Sequence, residues 1–142
     1  MQTEYIQSGF TLIELMLVIG ILAILLALSI PAYQGYAIRA QVAECMQGAT
    51  SAKVSVSEYS IARNGALPSD RAEAGFANFE TSICESLDFS GGNLIITVRS
   101  SVVPGGLTVH WTPSVDTTTL NVDWDCSVAN GSPRYAPGQC RN

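Results

Sequence analysis

The chain has 142 residues, of which 7 are Lys or Arg and 12 are Asp or Glu, and its formal net charge is −5. This length allows one modest domain after any membrane segment, since single domains commonly hold about 100 residues. The acidic balance argues against a broad nucleic-acid-binding surface, which requires a basic face.

An apolar segment begins close to the N-terminus. From Leu15 to Ile38 the sequence contains no charged side chain, and roughly 20 apolar residues are enough for a helix to cross a bilayer. Glu14 lies alone at the start of this stretch, and an acid placed there is costly enough to indicate a function. We therefore predict a membrane helix over residues 10–38 and a soluble head over residues 39–142.

Two ordinary interpretations of this segment explain less of it. A cleaved secretory signal needs a basic leader and an apolar core of about 7–15 residues. Residues 1–9 contain no Lys or Arg, although Ala27-Leu28-Ser29 would suit a signal peptidase. A plain membrane anchor agrees with the composition but gives no reason for Glu14.

The helical pattern continues beyond the apolar segment. Apolar and small residues recur at gaps of three and four, which is typical of one buried helix face: Val42, Cys45, Ala49, Ala52, Val56 and Tyr59. This pattern predicts a helix over 39–64, with Asn64-Gly65 as its stop signal. Pro31 is expected to kink the preceding helix, because it lacks the N–H of a backbone hydrogen bond.

The remainder of the head alternates between turn-rich and strand-like sequence. Residues 65–93 lose the helical period and are predicted to be a loop. Its acids, which outnumber its single base, show no metal-ligand spacing and predict a solvated face. Three segments within 94–126 alternate apolar and polar residues, as half-buried antiparallel strands do. The fold class is therefore predicted to be α+β, with the helix packed on a small antiparallel sheet.

The four cysteines are Cys45, Cys84, Cys126 and Cys140. An even count after an export-type N-terminus favours disulfides formed in an oxidising compartment. Four cysteines allow three pairings, and their spacing does not choose among them.

Three segments resemble one known family. Gly9 to Met16 (Gly-Phe-Thr-Leu-Ile-Glu-Leu-Met) resembles the N-terminal signature of type IV pilins, and Pro31 to Tyr36 resembles the segment that follows it. The C-terminal sequence from Trp124 to Cys140 resembles the disulfide loop of type IVa pilins. The resemblance implies a pilin fold, a Cys126–Cys140 disulfide closing the loop 126–140, and with it a second disulfide between Cys45 and Cys84.

The resemblance also implies how the chain is processed and assembled. A prepilin peptidase would remove residues 1–9 by cutting between Gly9 and Phe10, and the new amine of Phe10 would be methylated. Glu14 takes the position of the family's assembly glutamate and Pro31 that of its kink proline. A carboxylate in an apolar bundle needs a positive partner, which the Phe10 amine of a neighbouring subunit would supply.

These features predict a structural subunit rather than an enzyme. The sequence has no GxSxG, P-loop or GxGxxG motif, and its single histidine, His110, falls on an outward strand position. We predict no cofactor and no metal site. Arg134 and Arg141 are weak evidence for contact with DNA.

The predicted partners are other copies of the chain, the prepilin peptidase, the inner-membrane assembly machinery, and the membrane before assembly. The assembled fibre would lie outside the cell, where it would serve adhesion, twitching motility and DNA uptake. A minor pilin, a type II secretion pseudopilin and a secreted binding module are the alternatives.

Overall fold

The structure is a computed structural model that describes residues 9–141. The chain divides into two compact units, Met1–Gly35 and Tyr36–Asn142, a division three residues before the predicted boundary. The predicted leader, residues 1–9, lies outside the described residues except for Gly9. Each unit is described by itself.

The first element is helix α1, Leu12–Ala62, which contains Pro31. Thr11 caps its N-terminus, because the Glu14 backbone N–H donates to Thr11 Oγ1 at 3.3 Å. Asn64 has φ 60°, and the N–H groups of Asn64 and Gly65 donate to the carbonyls of Ile61 and Ser60. That pair of bonds is a Schellman motif. The predicted stop signal at Asn64-Gly65 is thus confirmed, and the helix ends two residues earlier than predicted.

The second half of α1 contributes one face to the core of the head. Val42, Cys45, Ala49, Ala52 and Val56 are all at most 2% exposed, as the sequence pattern predicts. The end of the stripe differs from the prediction: Ser60 is fully buried, whereas Tyr59 is only half-buried. The Tyr59 hydroxyl donates to Glu73 Oε1, so the ring lies at the rim, where its polar end has an acceptor.

A four-stranded antiparallel sheet in the order β1-β2-β3-β4 covers this helix face. Its strands are β1 (Cys84–Ser90), β2 (Asn93–Val98), β3 (Leu107–Val115) and β4 (Val122–Asn130). Buried residues alternate with more exposed ones along β2 and β3, which the alternation in the sequence predicts. The predicted α+β class, a helix packed on an antiparallel sheet, is confirmed.

The predicted loop 65–93 is wrong in two places. Arg71–Ala74 forms the short helix α2, and Cys84–Ser90 forms the edge strand β1. A register shift between Cys84 and Ser86 breaks the period of two that identifies strands in sequence. Positive φ angles at Gly91 and Gly92 suit the two-residue turn that joins β1 to β2.

The sheet also extends past its predicted end, because β4 continues to Asn130 instead of stopping at Cys126. Gly131 then takes φ 92°, and a Cβ there would lie 3.0 Å from Leu107 Cα. Only glycine allows the chain to pass this close to the start of β3. The C-terminal segment continues through two short 3-10 helices, Pro133–Tyr135 and Gly138–Cys140.

Candidate assembly segment and disulfide-bonded head

The N-terminal part of α1 presents apolar side chains that no described residue covers. Phe10, Leu12 and Ile13 are 71%, 81% and 77% exposed, and the apolar side chains that follow are exposed as far as Ile30. Within residues 9–141, α1 is the one helix with the length and composition to cross a membrane. So much exposed apolar surface is unstable in water and has to be covered by lipid or by protein.

Glu14 lies in the first turn of α1. Its backbone N–H is bound by Thr11, and the described residues give its carboxylate no hydrogen bond or ion pair. An acid at this end of a helix interacts favourably with the helix dipole. The carboxylate is therefore compatible with its own helix and remains free for a partner outside the described chain.

The predicted processing position lies just before this helix. Gly9 and Phe10 are exposed and belong to no helix or strand. Pro31 lies inside α1, where the missing N–H leaves the Ala27 carbonyl without its usual intrahelical donor. The roles of Gly9, Phe10, Glu14 and Pro31 in processing and assembly stay predictions.

Two disulfides tie the head together. Cys45 of α1 is bonded to Cys84 of β1, and Cys126 of β4 is bonded to Cys140 in the C-terminal segment. Close to the first bond, the Phe79 ring lies against Gly48, so tightly that a Cβ on Gly48 would collide with it. The segment between α2 and β1 is thus fixed to the helix by a covalent bond and by an aromatic contact.

The single histidine and the acids of β4 do not come together with one another in a hydrogen-bonded site. His110 is half-buried, and its opposite neighbour on β4 is Ser127, while Asp123 and Asp125 are exposed on β4. Among residues 9–141 no group of three or more His, Cys, Asp or Glu side chains is placed to hold a metal ion.

A hydrogen-bonded carboxylate beside α2 was not foreseen from sequence. Glu73 accepts hydrogen bonds from the Tyr59 hydroxyl, from the Ser69 N–H at 2.7 Å and from Ser69 Oγ at 2.7 Å. The Tyr59 bond first, and then the two Ser69 bonds, lower the pKa of Glu73 from 4.5 to about 2. The two Ser69 bonds are local, since Ser69 is four residues before Glu73, whereas Tyr59 is 14 residues away and reaches Glu73 only once the chain is folded.

We expect Glu73→Gln to reduce the acid sensitivity of the head. Because the pKa of Glu73 is lowered on folding, its contribution to stability is complete above pH 4.5 and is lost as the pH falls towards 2. Thermal unfolding of the full chain in detergent, followed by circular dichroism from pH 7 to pH 2, measures this. Glu85→Gln is the control, since Glu85 is exposed on β1. Equal pH slopes for the two variants would contradict the assignment.

A helix with an uncovered apolar surface, followed along the chain by a compact, disulfide-bonded α+β head, is typical of one class of protein. Such a chain is held in a membrane by its helix, or it assembles through that helix with other copies, because one of the two has to cover the apolar surface.

Comparison with known families identifies the class. The family model described as pilin (bacterial filament) matches residues 38–141, and the prokaryotic N-terminal methylation motif matches residues 6–30. Because the first match alone covers more than half of the chain, the chain belongs to the pilin family. It is a structural subunit of a type IV pilus.

Individual relatives agree with this assignment over nearly the whole chain. Fimbrial protein EcpC of Eikenella corrodens is 37% identical, with 98% of this chain and 94% of the relative aligned. A fimbrial protein of Neisseria meningitidis is 34% identical, with 96% of this chain and 95% of the relative aligned. The type IV major pilin protein PilE1 of Neisseria gonorrhoeae is 32% identical over 96% and 88%. The pilin resemblance predicted from Gly9–Met16 is therefore confirmed.

Proposed function

We propose that this chain is a major pilus subunit that is cut between Gly9 and Phe10, methylated on Phe10, and polymerised through its N-terminal helix. The observation that carries the proposal is the apolar helix surface from Phe10 to Ile30, which no described residue covers. Lipid would cover it before assembly, with the head outside the cytoplasm, and the helices of other copies would cover it in the fibre.

The role of Glu14 follows from this packing. A carboxylate among apolar helices is stable only when a positive group pairs with it. Cleavage before Phe10 would create that group, and a neighbour displaced along the fibre axis would bring its own Phe10 amine to Glu14. The pairing would admit processed subunits, fix their axial register and reject uncleaved ones.

Support for a major rather than a minor subunit comes from the relatives, several of which are described as major pilins or fimbrial proteins. Fibres built from this head would serve surface attachment and twitching motility, and we infer that the subunit itself has no catalytic role. DNA uptake stays outside the proposal. Arg134 Nη2 already donates to the Tyr135 hydroxyl, and Arg141 Nε donates to the Ala136 carbonyl.

Analysis of sheared fibres tests the proposal. We expect this chain to be the most abundant protein in them, with an N-terminus that mass spectrometry identifies as N-methyl-Phe10. A mature chain that begins near Ile30 would instead indicate a cleaved secretory signal. Deletion of the gene is expected to remove the fibres; intact fibres together with lost protein secretion would indicate a pseudopilin.

A further inference from the structure

A cavity of about 340 Å³ opens in the head between α1, β3 and the C-terminal segment. Met46, Gln47, Thr50 and Lys53 of α1 form one wall, and Trp111 and Gln139 lie across from them. No acidic side chain lines the cavity. Lys53 is its single charged residue and the only lysine in the chain.

The ammonium group of Lys53 is held in place without an anion. Its Nζ lies 2.9 Å from the centre of the Trp111 ring and 5.5 Å from that of Trp124. Both ion pairs formed within residues 9–141 use arginine, Arg99 with Glu80 and Arg71 with Asp88. Burial lowers the pKa of Lys53 from 10.5 to about 8, and the aromatic contact opposes this by favouring the cation.

Trp111, across the cavity from the α1 wall, also carries a donor without an acceptor within residues 9–141. The residue is 5% exposed, and its indole N–H has no acceptor among the described residues. A buried donor without a partner costs free energy, commonly about 1–3 kcal/mol. In the cavity itself, the Lys53 cation beside the side-chain amides of Gln47 and Gln139 favours an acceptor that carries negative charge.

The charges indicate one carboxylate rather than a larger anion. Phosphate and sulfate sites usually combine several cations or a helix N-terminus, and this cavity has one cation on the side of a helix. Carboxylates without a hydrogen bond or ion pair within residues 9–141 are present elsewhere on the head: Glu44, Glu58, Glu85, Asp123 and Asp125. In a homopolymer, every copy carries both the cavity and these carboxylates.

We propose that the Lys53 cavity is a subunit–subunit contact site that receives an Asp or Glu side chain from a second copy of this chain. The inference rests on the proposed function, because it needs the fibre. Contacts along a helical fibre join two different surfaces of the subunit, so the acid lies on another part of the head. The carboxylate pairs with the ammonium group and compensates its burial.

Carbodiimide treatment of intact fibres tests the pairing, because it couples an amine to a carboxylate that already touches it. In the processed subunit the amines are Lys53 and the Phe10 terminus. We expect covalent dimers and longer chains on denaturing gels, and mass spectrometry is expected to find Lys53 joined to an Asp or Glu of another copy. Fibres of Lys53→Arg keep the cation but offer no side-chain amine, and their Lys53-dependent dimers are expected to disappear.

The outcomes separate this inference from the proposed function. Fibres that give Phe10–Glu14 links but no intersubunit Lys53 link would overturn the Lys53 inference and leave the proposed function intact. So would a Lys53 link within one chain, including one to its own C-terminal carboxylate. Absence of fibres or of processed Phe10 would overturn the proposed function instead.

Removing the Lys53 charge, and then exchanging it with the charge of its partner, supplies a second test. Lys53→Met keeps the packing of the side-chain stem but removes the charge, and we expect subunit affinity in the fibre to fall about tenfold or more. The dispersed subunit is expected to keep its unfolding midpoint. Lys53→Glu combined with a lysine at the acid identified by cross-linking is expected to restore the fibres; failure of this rescue would overturn the pairing.

Discussion

Cells that carry Glu14→Ala are expected to insert and process the pilin but to produce almost no fibres. Without the carboxylate, each incoming Phe10 ammonium group would be buried among apolar helices with no partner. Breaking a buried ion pair by removing one member costs about 3–5 kcal/mol, which corresponds to at least a hundredfold loss of affinity at each added subunit. Sheared fibres counted by electron microscopy, beside immunoblots of membrane fractions, measure the effect.

The N-cap separates this role from an effect on the helix itself. Glu14 lies in the first turn and its N–H is bound by Thr11 Oγ1, so a change at Glu14 also alters the start of α1. Thr11→Ala removes the cap at a cost of about 1 kcal/mol but keeps the charge, and is expected to leave fibres abundant. Glu14→Gln keeps the shape but not the charge, and is expected to match Glu14→Ala. If Thr11→Ala removed fibres to the same extent, the effect of Glu14 would lie in starting the helix and not in pairing with the Phe10 amine.

What could be predicted from sequence depended on how local the signal is. The stop at Asn64-Gly65 is a local motif, and β2 and β3 follow an unbroken alternation, so all three were found. The strand β1 was missed because its register shift between Cys84 and Ser86 interrupts the alternation, and because Glu85 and Asp88 are unusual in strands. The burial of Ser60 in place of Tyr59 reflects the hydrogen bond to Glu73, which no periodicity encodes.

The candidate functional residues also differ in how local their sequence signal is. Gly9, Phe10 and Glu14 stand within one short motif, so residue order alone points to processing and assembly. The Lys53 cavity joins α1 to Trp111 and to Gln139, which are far apart along the chain. Nothing near Lys53 in the sequence indicates that its ammonium group will lie on an aromatic ring. Contacts of this kind exist only once the sheet is packed on the helix.

Replacing Cys45 and Cys84 together by alanine is expected to destabilise the head more than the same change at Cys126 and Cys140. The first bond joins residues 39 apart in the chain and the second joins residues 14 apart. In the chain-entropy model the longer loop contributes about 4 kcal/mol and the shorter about 3. Urea unfolding of both double variants, as full chains in detergent, gives the two free energies of unfolding.

The two bonds are also expected to differ in where the head opens. Cys45–Cys84 joins α1 to the edge strand β1, so its loss should raise hydrogen exchange in β1 and around Phe79, the ring that lies on Gly48. Loss of Cys126–Cys140 should raise exchange beyond β4 and leave β1 protected. Alanine is preferred to serine here because Cys45, Cys84 and Cys140 are at most 1% exposed, and a buried hydroxyl without a partner adds its own cost. Equal destabilisation would contradict the argument from loop length, and exchange that rises uniformly over the sheet would contradict the assignment of each bond to particular elements.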